Sequence, residues 1–358
     1  MELLKTSLHG DHLALKAKMA PFAGFDMPIQ YTSVKDEVLA VRNNVGIFDV
    51  SHMGEFFVTG PDAIKFVDHL ITNDFKNAEM LKAVYSPLCR ENGTIIDDLI
   101  AYKLNDNKVL ICVNASNIQK DWNWISSKTQ GFNIELTNRS DDYSLIAVQG
   151  PKTEEILKKL EVLDSTEFPY YSIKEATFNG ESIILARTGY TGEDGFEIFS
   201  THAMARTLWI KLQALGAVPC GLAARDVLRL EVCYPLYGHE LTDDVTPLDT
   251  GLGWTVKLTK ENFISKSTLE SYKAKYQLVK LSLDKGIPRE GYPVLNGEKV
   301  VIGKVTSGTM SVINNKGIAL ALVEKAKISA DKKYYIDIRN QQYEAIVHTK
   351  AFVTGGHK

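Results

Sequence analysis

The sequence predicts an α+β protein: two related lobes, each a sheet covered by helices, followed by an all-β module. Three observations predict it. An internal echo comes first: Phe57-Val58-Thr59-Gly60-Pro61, then Ala63, Phe66, Val67 and Leu70 at helical spacing, is matched by Ala147-Val148-Gln149-Gly150-Pro151, then Ile156, Leu157 and Leu160. The offset is 90 residues at Val58/Val148, Gly60/Gly150, Pro61/Pro151 and Leu70/Leu160, so each lobe carries a strand, a Gly-Pro break and a helix. Secondly, strand-like and helix-like stretches alternate within each lobe. Thirdly, beyond Gln277 the pattern changes to short alternating strands separated by turns such as Asn296-Gly297, the signature of a small barrel or sandwich.

At 358 residues the chain is long enough for two or three domains and for burying a large ligand. With 44% hydrophobic and 24% charged residues it is neither disordered nor fibrous. Lys and Arg number 41 against 44 Asp and Glu, a net charge of -3. That provides no global basic field, which argues against nucleic acid or an anionic membrane as the main partner. Cys89, Cys112, Cys220 and Cys233 are too far apart for a CxxC metal or redox motif and read as reduced thiols of a cytoplasmic protein. No run approaches the roughly 18 apolar residues of a membrane span. The first residues lack a signal-peptide apolar region, so the mature chain is read as starting near Met1.

The elements follow in order. Phe22 to Tyr31 mixes aromatics with Gly and Pro and reads as a packed loop or short strand, and Val34 to Val41 as a helix. Gly46 to Gly54 breaks periodicity with a glycine at each end and reads as a loop. His52 within it invites a catalytic reading, although a lone His beside Met and Phe is more often a hydrogen-bonded core residue. Strands are expected around Ile95 to Leu104 and Val109 to Val113, then a helix from about Ser116 with Ile118, Trp122 and Ile125 on one face. In the second lobe Ile173 to Phe178 and Ile183 to Ala186 flank Asn179-Gly180, a strong hairpin signal. A strand at Gly195 to Phe199 leads to a helix turning Leu208, Trp209 and Leu212 inward. Two such lobes leave a cleft between their sheets.

The chemistry is expected at Glu91 to Ile100, where Asp97-Asp98 interrupts an apolar strand. A buried ionised carboxylate is costly unless paired or hydrogen-bonded. Alternation places Asp97 with Ile95 and Leu99, and Asp98 with Ile96 and Ile100, so a cavity receives one carboxylate only. A doublet capping a turn or meeting an Arg is the structural alternative. Gly221 to Glu231 reads as a helix with Arg225 and Arg229 four apart on one side, one facing a ligand or both in ion pairs.

Several stretches together resemble the T-protein of the glycine cleavage system, the tetrahydrofolate-dependent aminomethyltransferase family. They are Gly46 to Gly54 (GIFDVSHMG), Tyr85-Ser86, Gly93 to Leu99 (GTIIDDL), Gln149-Gly150-Pro151, Thr188 to Glu197 (TGYTGEDGFE), Ala224 to Glu231 (ARDVLRLE) and Thr306-Ser307-Gly308. The resemblance implies two intertwined ferredoxin-like folate-binding lobes and a C-terminal β-barrel in a cloverleaf. The folate-binding region is then 1–272, one lobe about 1–50 with 140–272 and the other about 51–139, and the barrel is 273–358. In this family an aminomethyl group arrives on the lipoyl arm of H-protein, with P- and L-proteins as indirect partners. Ammonia leaves and 5,10-methylenetetrahydrofolate forms, with no metal.

The resemblance assigns catalysis to Asp98, the second carboxylate of the doublet, which suits proton transfer at folate nitrogens and stabilisation of a transient cation. Glu197 is implied as acceptor for the pterin amino and ring N–H edge, and Arg225 as a fixed cation at the folate. Tyr85, Tyr171, Tyr190, Tyr237, Asn114, Met53 and Trp254 fall at or beside ligand-lining positions. Arg289 is a candidate for the lipoyl entrance or the glutamate tail, with a surface role as the alternative. The chain departs from the family at Val312, Asn314 and Asn315, where Pro, Leu and Gly are usual, and at Thr94 and Ala223, which replace glycines. Rival readings are a non-catalytic folate-binding relative, which tends to lose the Asp doublet, a demethylase module usually fused to a flavin oxidase, and a structural scaffold.

Overall fold

A short helix, α1 (His9–Ala14), and a hairpin, β1 (Lys18–Phe22) with β2 (Phe25–Gln30), open the computed structural model, which describes residues 2–164 and 167–356. Helix α2 (Val34–Asn43) begins where the Ser33 side chain accepts the Asp36 N–H. The expected loop at Gly46 to Gly54 is corrected: Gly46–Asp49 is a buried strand, β3, and only residues 50–53 turn. Backbone pairing on both sides of β3 overrides the local glycine signal.

Strands β4 (Gly54–Thr59), β5 (Ala83–Cys89), β6 (Ile95–Asn105), β7 (Lys108–Val113) and β8 (Glu135–Asn138) form a sheet in the order β5-β6-β7-β4-β8. Helices α3 (Ala63–Leu70) and α4 (Ile118–Ser126) cover one face of it, packing Phe66, Val67, Leu70 and Ile125 on Phe56 and Val58. The second sheet runs β10-β11-β12-β9-β3-β13. Its members beyond β3 are β9 (Ser144–Gln149), β10 (Ile173–Phe178), β11 (Glu181–Ala186), β12 (Gly195–Ser200) and β13 (Val218–Pro219). Helices α5 (Thr153–Lys159) and α6 (His202–Ala214) cover its outer face, with Leu208, Trp209 and Leu212 fully buried. Because β3 precedes the whole five-stranded sheet in sequence and β9 follows it, the two sheets are intertwined. Their inner faces share a core of Phe48, Ala147, Phe199, Phe57, Tyr102 and Leu110. Helix α7 (Leu222–Glu231) packs beside it through Ala224 and Leu228.

After α8 (Lys266–Ser271) come β14 (Tyr276–Leu283), β15 (Pro293–Leu295), β16 (Val301–Met310), β17 (Gly317–Glu324), β18 (Tyr334–Ile338) and β19 (Gln341–His348). Of the two forms open from sequence they adopt the closed barrel, in the order β14-β17-β16-β15-β18-β19, filled by Leu281, Val305, Ala321 and Ile336. Closure leaves no free strand edge. Among the described residues no helix is long and apolar enough to cross a membrane.

The internal echo has a structural cause. Gly60 and Gly150 end equivalent strands β4 and β9 with φ of +120° and +134°. A Cβ there would lie 2.6 Å from the Asn133 carbonyl oxygen and 2.2 Å from that of Asn44, so only glycine lets the chain turn into α3 and α5. Gly150→Ala is therefore expected to destabilise the fold by about 2 kcal/mol or more. Gly10→Ala, with nothing within 4 Å of the added carbon, is expected to leave it nearly unchanged; paired thermal denaturation curves check both.

Candidate active site

Strand β6 presents the doublet with a change of register. Asp98 lies opposite Pro87 and Asp97 opposite Leu88, but Cys89 pairs with Ile95, so the strand bulges at Ile96. The expected alternation holds after the doublet and fails before it. Ile96 packs with Leu99 on the helix-covered face, and Ile95 joins Cys89 and Tyr85 on the other. Asp97 is fully buried, whereas Asp98 is partly exposed on the face shared with Tyr85 and Ile100.

Asn114, which follows β7, ties the two carboxyls together. Its backbone N–H donates to Asp97 Oδ2 at 3.1 Å. Its side-chain Nδ2 donates to Asp97 Oδ1 at 2.8 Å, Asp98 Oδ1 at 2.9 Å and the Asp98 carbonyl at 3.0 Å. Asn117 Nδ2 gives Asp97 Oδ1 a further bond at 2.7 Å, and the Tyr85 hydroxyl donates to Asp98 Oδ2 at 3.0 Å. Burial, then the charge of Asp97, pushes Asp98 up to about 7, against the lowering effect of the Tyr85 and Asn114 hydrogen bonds. Near neutral pH this carboxyl can both take and give a proton.

The second sheet and α7 bring further charged groups near the doublet: Asp98 and Glu197 both act on Tyr171, and Asp98 and Arg225 both act on Tyr190. Glu197, on β12, is buried and accepts the Thr188 hydroxyl at 2.6 Å. The Arg225 guanidinium, on the first turns of α7, lies 5.0 Å from the centre of the Tyr190 ring. Its Nη1 is buried with no hydrogen-bond partner among the described residues. Burial lowers its basicity, and the strongest opposing influence is the charge of Glu197. A buried guanidinium N–H left unmatched is unfavourable. The arrangement fits a flat ligand that brings its own acceptors to Arg225 and donors to Glu197.

Aromatic groups border the same space. Tyr85 stacks on Trp254 with ring centres 6.2 Å apart, and Trp254 is 60% exposed. Tyr171, at φ +58°, meets Tyr170 edge-on, and both Asp98 and Glu197 act on its hydroxyl. Tyr190 donates its hydroxyl to the Pro235 carbonyl. Tyr237 accepts from Lys120 Nζ at 2.7 Å, beside Asp243 and Arg90. Met53 packs against the shared core. Arg289 stands apart: it is exposed between β14 and β15, and no hydrogen bond or ion pair joins its side chain to the other candidates among the described residues. His52 packs edge-on against Phe22 at 5.5 Å, and burial pushes its pKa down to about 4, which leaves it neutral. Of the two helical arginines, Arg229 is saturated by Asp226, Glu240 and Ser307.

A model described as the GCVT N-terminal domain matches residues 8–260, and the glycine cleavage T-protein C-terminal barrel domain matches 277–353. The chain belongs to the glycine cleavage T-protein family. It is 47% identical over 358 residues to the aminomethyltransferase of Thermosipho melanesiensis, covering 99% of this chain and 98% of that protein. It is 46% identical over 359 residues to that of Thermotoga maritima, covering 98% of each. The crystal structure of glycine cleavage system aminomethyltransferase T from Bartonella henselae superposes with a TM-score of 0.92 at 32% identity over 99% of both chains. The chain is thus a folate-dependent aminomethyltransferase, of a family that uses tetrahydrofolate.

Sequence reading missed Asp121, Asn117 and Thr188. Asp121 was within reach: it lies three residues after Ile118 and four before Ile125, on the apolar stripe of α4. Thr188 carried no signal beyond its motif, since its contact with Glu197 depends on how β11 leads into β12.

The raised Asp98 has a consequence for stability. A carboxyl whose folded pKa exceeds its unfolded one favours the folded state at low pH, and that contribution is lost as pH rises from the usual carboxylate range, about 4, through about 7. Asp98→Asn removes the buried charge. Its melting temperature is expected to match wild type at the acid end, to exceed it increasingly as pH rises from about 4 to about 7, and to keep a constant margin above that, as a pH series of thermal melts would show.

Proposed function

We propose that the enzyme takes the one-carbon unit from the aminomethylated lipoyl arm of H-protein and transfers it to tetrahydrofolate, releasing ammonia and forming 5,10-methylenetetrahydrofolate. The observation that carries this reading is Asp98, a carboxyl balanced between its two protonation states and held by Tyr85 and Asn114 near the unmatched Arg225. Tetrahydrofolate supplies the two nitrogens that the one-carbon unit bridges. The chain's own groups position it and manage protons. Glu197 and Arg225 hold the polar edge of the ring system, and Tyr190, Tyr171 and Tyr85 border its faces. Asp98 takes a proton as the new bond forms and supplies one to the departing group, at an operating pH near its own midpoint. Trp254, exposed and stacked on Tyr85, in this reading borders the path by which the partner's lipoyl arm reaches Asp98. In this reading the protein works in the cytoplasm, where its four free cysteines stay reduced.

The test is product formation from aminomethylated H-protein and tetrahydrofolate by wild type and Asp98→Asn. Wild type is expected to form methylenetetrahydrofolate, and the variant to lose about 100- to 10,000-fold in kcat while keeping folate affinity. Folate binding without product from wild type would favour the non-catalytic relative instead. Glu197→Gln is expected to weaken folate binding about ten- to a hundredfold, measured by calorimetry without H-protein, because a charge-assisted acceptor is lost.

A further inference from the structure

Asp121 is the carboxyl of the site that the reaction above leaves unused. It is fully buried, and both its oxygens lack a donor among the described residues. The nearby donors are committed elsewhere. Asn117 and both nitrogens of Asn114 serve Asp97, and Lys120 Nζ goes to the Tyr237 hydroxyl. A buried carboxylate with no donor is strongly disfavoured, whereas a neutral acid needs only one acceptor for its proton. Asp97, the adjacent carboxyl, is that acceptor: burial raises it, but its three N–H bonds and the neighbouring Asp121 carboxyl favour its charged form. Two carboxyls sharing one proton then carry a single negative charge.

We propose that Asp121 is a positioning residue which keeps a proton, donates it to Asp97, and so fixes through Asn114 both the orientation and the charge environment of Asp98. Burial, and then the charge of Asp97, push Asp121 up to about 11, consistent with this assignment. The groups facing Asp98 are Tyr85 on β5, Asp97 on β6, and Tyr171 and Tyr190 from the loops of the second lobe; Asp121 and Lys120 face the doublet from α4. Burial raises the three tyrosines, so they stay neutral. Asp97 is then the anion that opposes ionisation of Asp98. Without the proton on Asp121 two anions would face Asp98 and hold it in its acid form at neutral pH, unable to act as a base. The catalytic consequence rests on the transferase reading, while the location of the proton is a property of the folate-free protein.

The experiment therefore uses folate-free protein. Infrared spectra are recorded above the Asp98 midpoint, where the carbonyl band of a protonated acid should persist. Glu55, also buried and raised, contributes to that band, so the readout is the difference between wild type and Asp121→Asn. Loss of part of the band in the variant is expected; an unchanged band means that Asp121 is ionised and overturns the proposal. In parallel, 13C carboxyl titration by NMR follows Asp98. Its midpoint should hold in Asp121→Asn, whose amide still donates to Asp97, and fall by about one pH unit or more in Asp97→Asn. Should Asp121→Asn not fold, Asp97→Asn decides alone, because an unmoved Asp98 midpoint would mean that Asp97 is not the anion. In the transferase assay the acid limb of kcat/KM follows the same shift. An inactive wild type would end the transferase reading without touching the proton assignment, and an ionised Asp121 in an active enzyme would end only the assignment.

Discussion

Helix α7 ties its own lobe to the barrel through two buried charged groups near its C-terminal end. Arg229 reaches Glu240 at 2.9 Å and the barrel residue Ser307 at 2.8 Å, and Glu240 in turn accepts the Thr306 hydroxyl at 2.6 Å. Glu231 pairs with Arg42 of α2 at 2.8 Å, and its other oxygen accepts the Ser311 hydroxyl and the N–H groups of Val312 and Ile313. Buried pairs of this kind add little net stability against an apolar substitute, but losing one partner costs about 3–5 kcal/mol, so they select one arrangement of parts. At the other end of α7 Glu37 accepts the Gly221 N–H at 2.8 Å along with those of Tyr31 and Thr32. Arg225 is thereby placed on a helix anchored at both ends, while its own Nη1 has no hydrogen-bond partner among the described residues.

That contrast recurs among the carboxylates. Asp249 accepts five hydrogen bonds, from Thr246, Tyr272, Lys275 and Tyr276, and these outweigh burial to hold it below the usual carboxylate range. Asp49 is likewise lowered, burial being outweighed by the hydrogen bond and charge of His12 together with the bonds from Ser51 and Thr6. Asp98 has fewer donors and an anionic neighbour, and it moves the other way. Saturated charges hold the fold in place. The under-matched ones, Asp98 and Arg225, both lie within electrostatic reach of Tyr190, where a ligand can complete them.

The positions that depart from the expected motifs make local bonds of their own. Asn315 takes φ +51°, a left-handed conformation that asparagine tolerates better than most residues, where the resemblance leads one to expect glycine. Asn314 uses its amide to bind the Phe352 carbonyl at 2.8 Å, and Val312 keeps an N–H for Glu231 at 3.0 Å. Thr94 meets Asn92 and Arg90 through its hydroxyl in the turn before β6. Loop shape at these points thus depends on a left-handed backbone at Asn315, the Val312 N–H, and side-chain bonds made by Asn314 and Thr94.

By itself the sequence determined the element types, the duplicated strand, Gly-Pro and helix unit, and the barrel segment, because hydrophobic periodicity and turn residues are local properties. It also marked Asp97-Asp98 as anomalous and, through its ordered motifs, the family. Only the tertiary structure decided that Gly46–Asp49 is a central strand, since its neighbours in the sheet come from residues 146–149 and 218–219. It alone exchanged the faces of Ile95 and Ile96 relative to the doublet, because the bulge depends on the partner strand. The division of labour between Arg225 and Arg229, four residues apart on one helix, was likewise beyond sequence. A charge is structural or available according to what surrounds it, and those surroundings here are assembled from both lobes and the barrel.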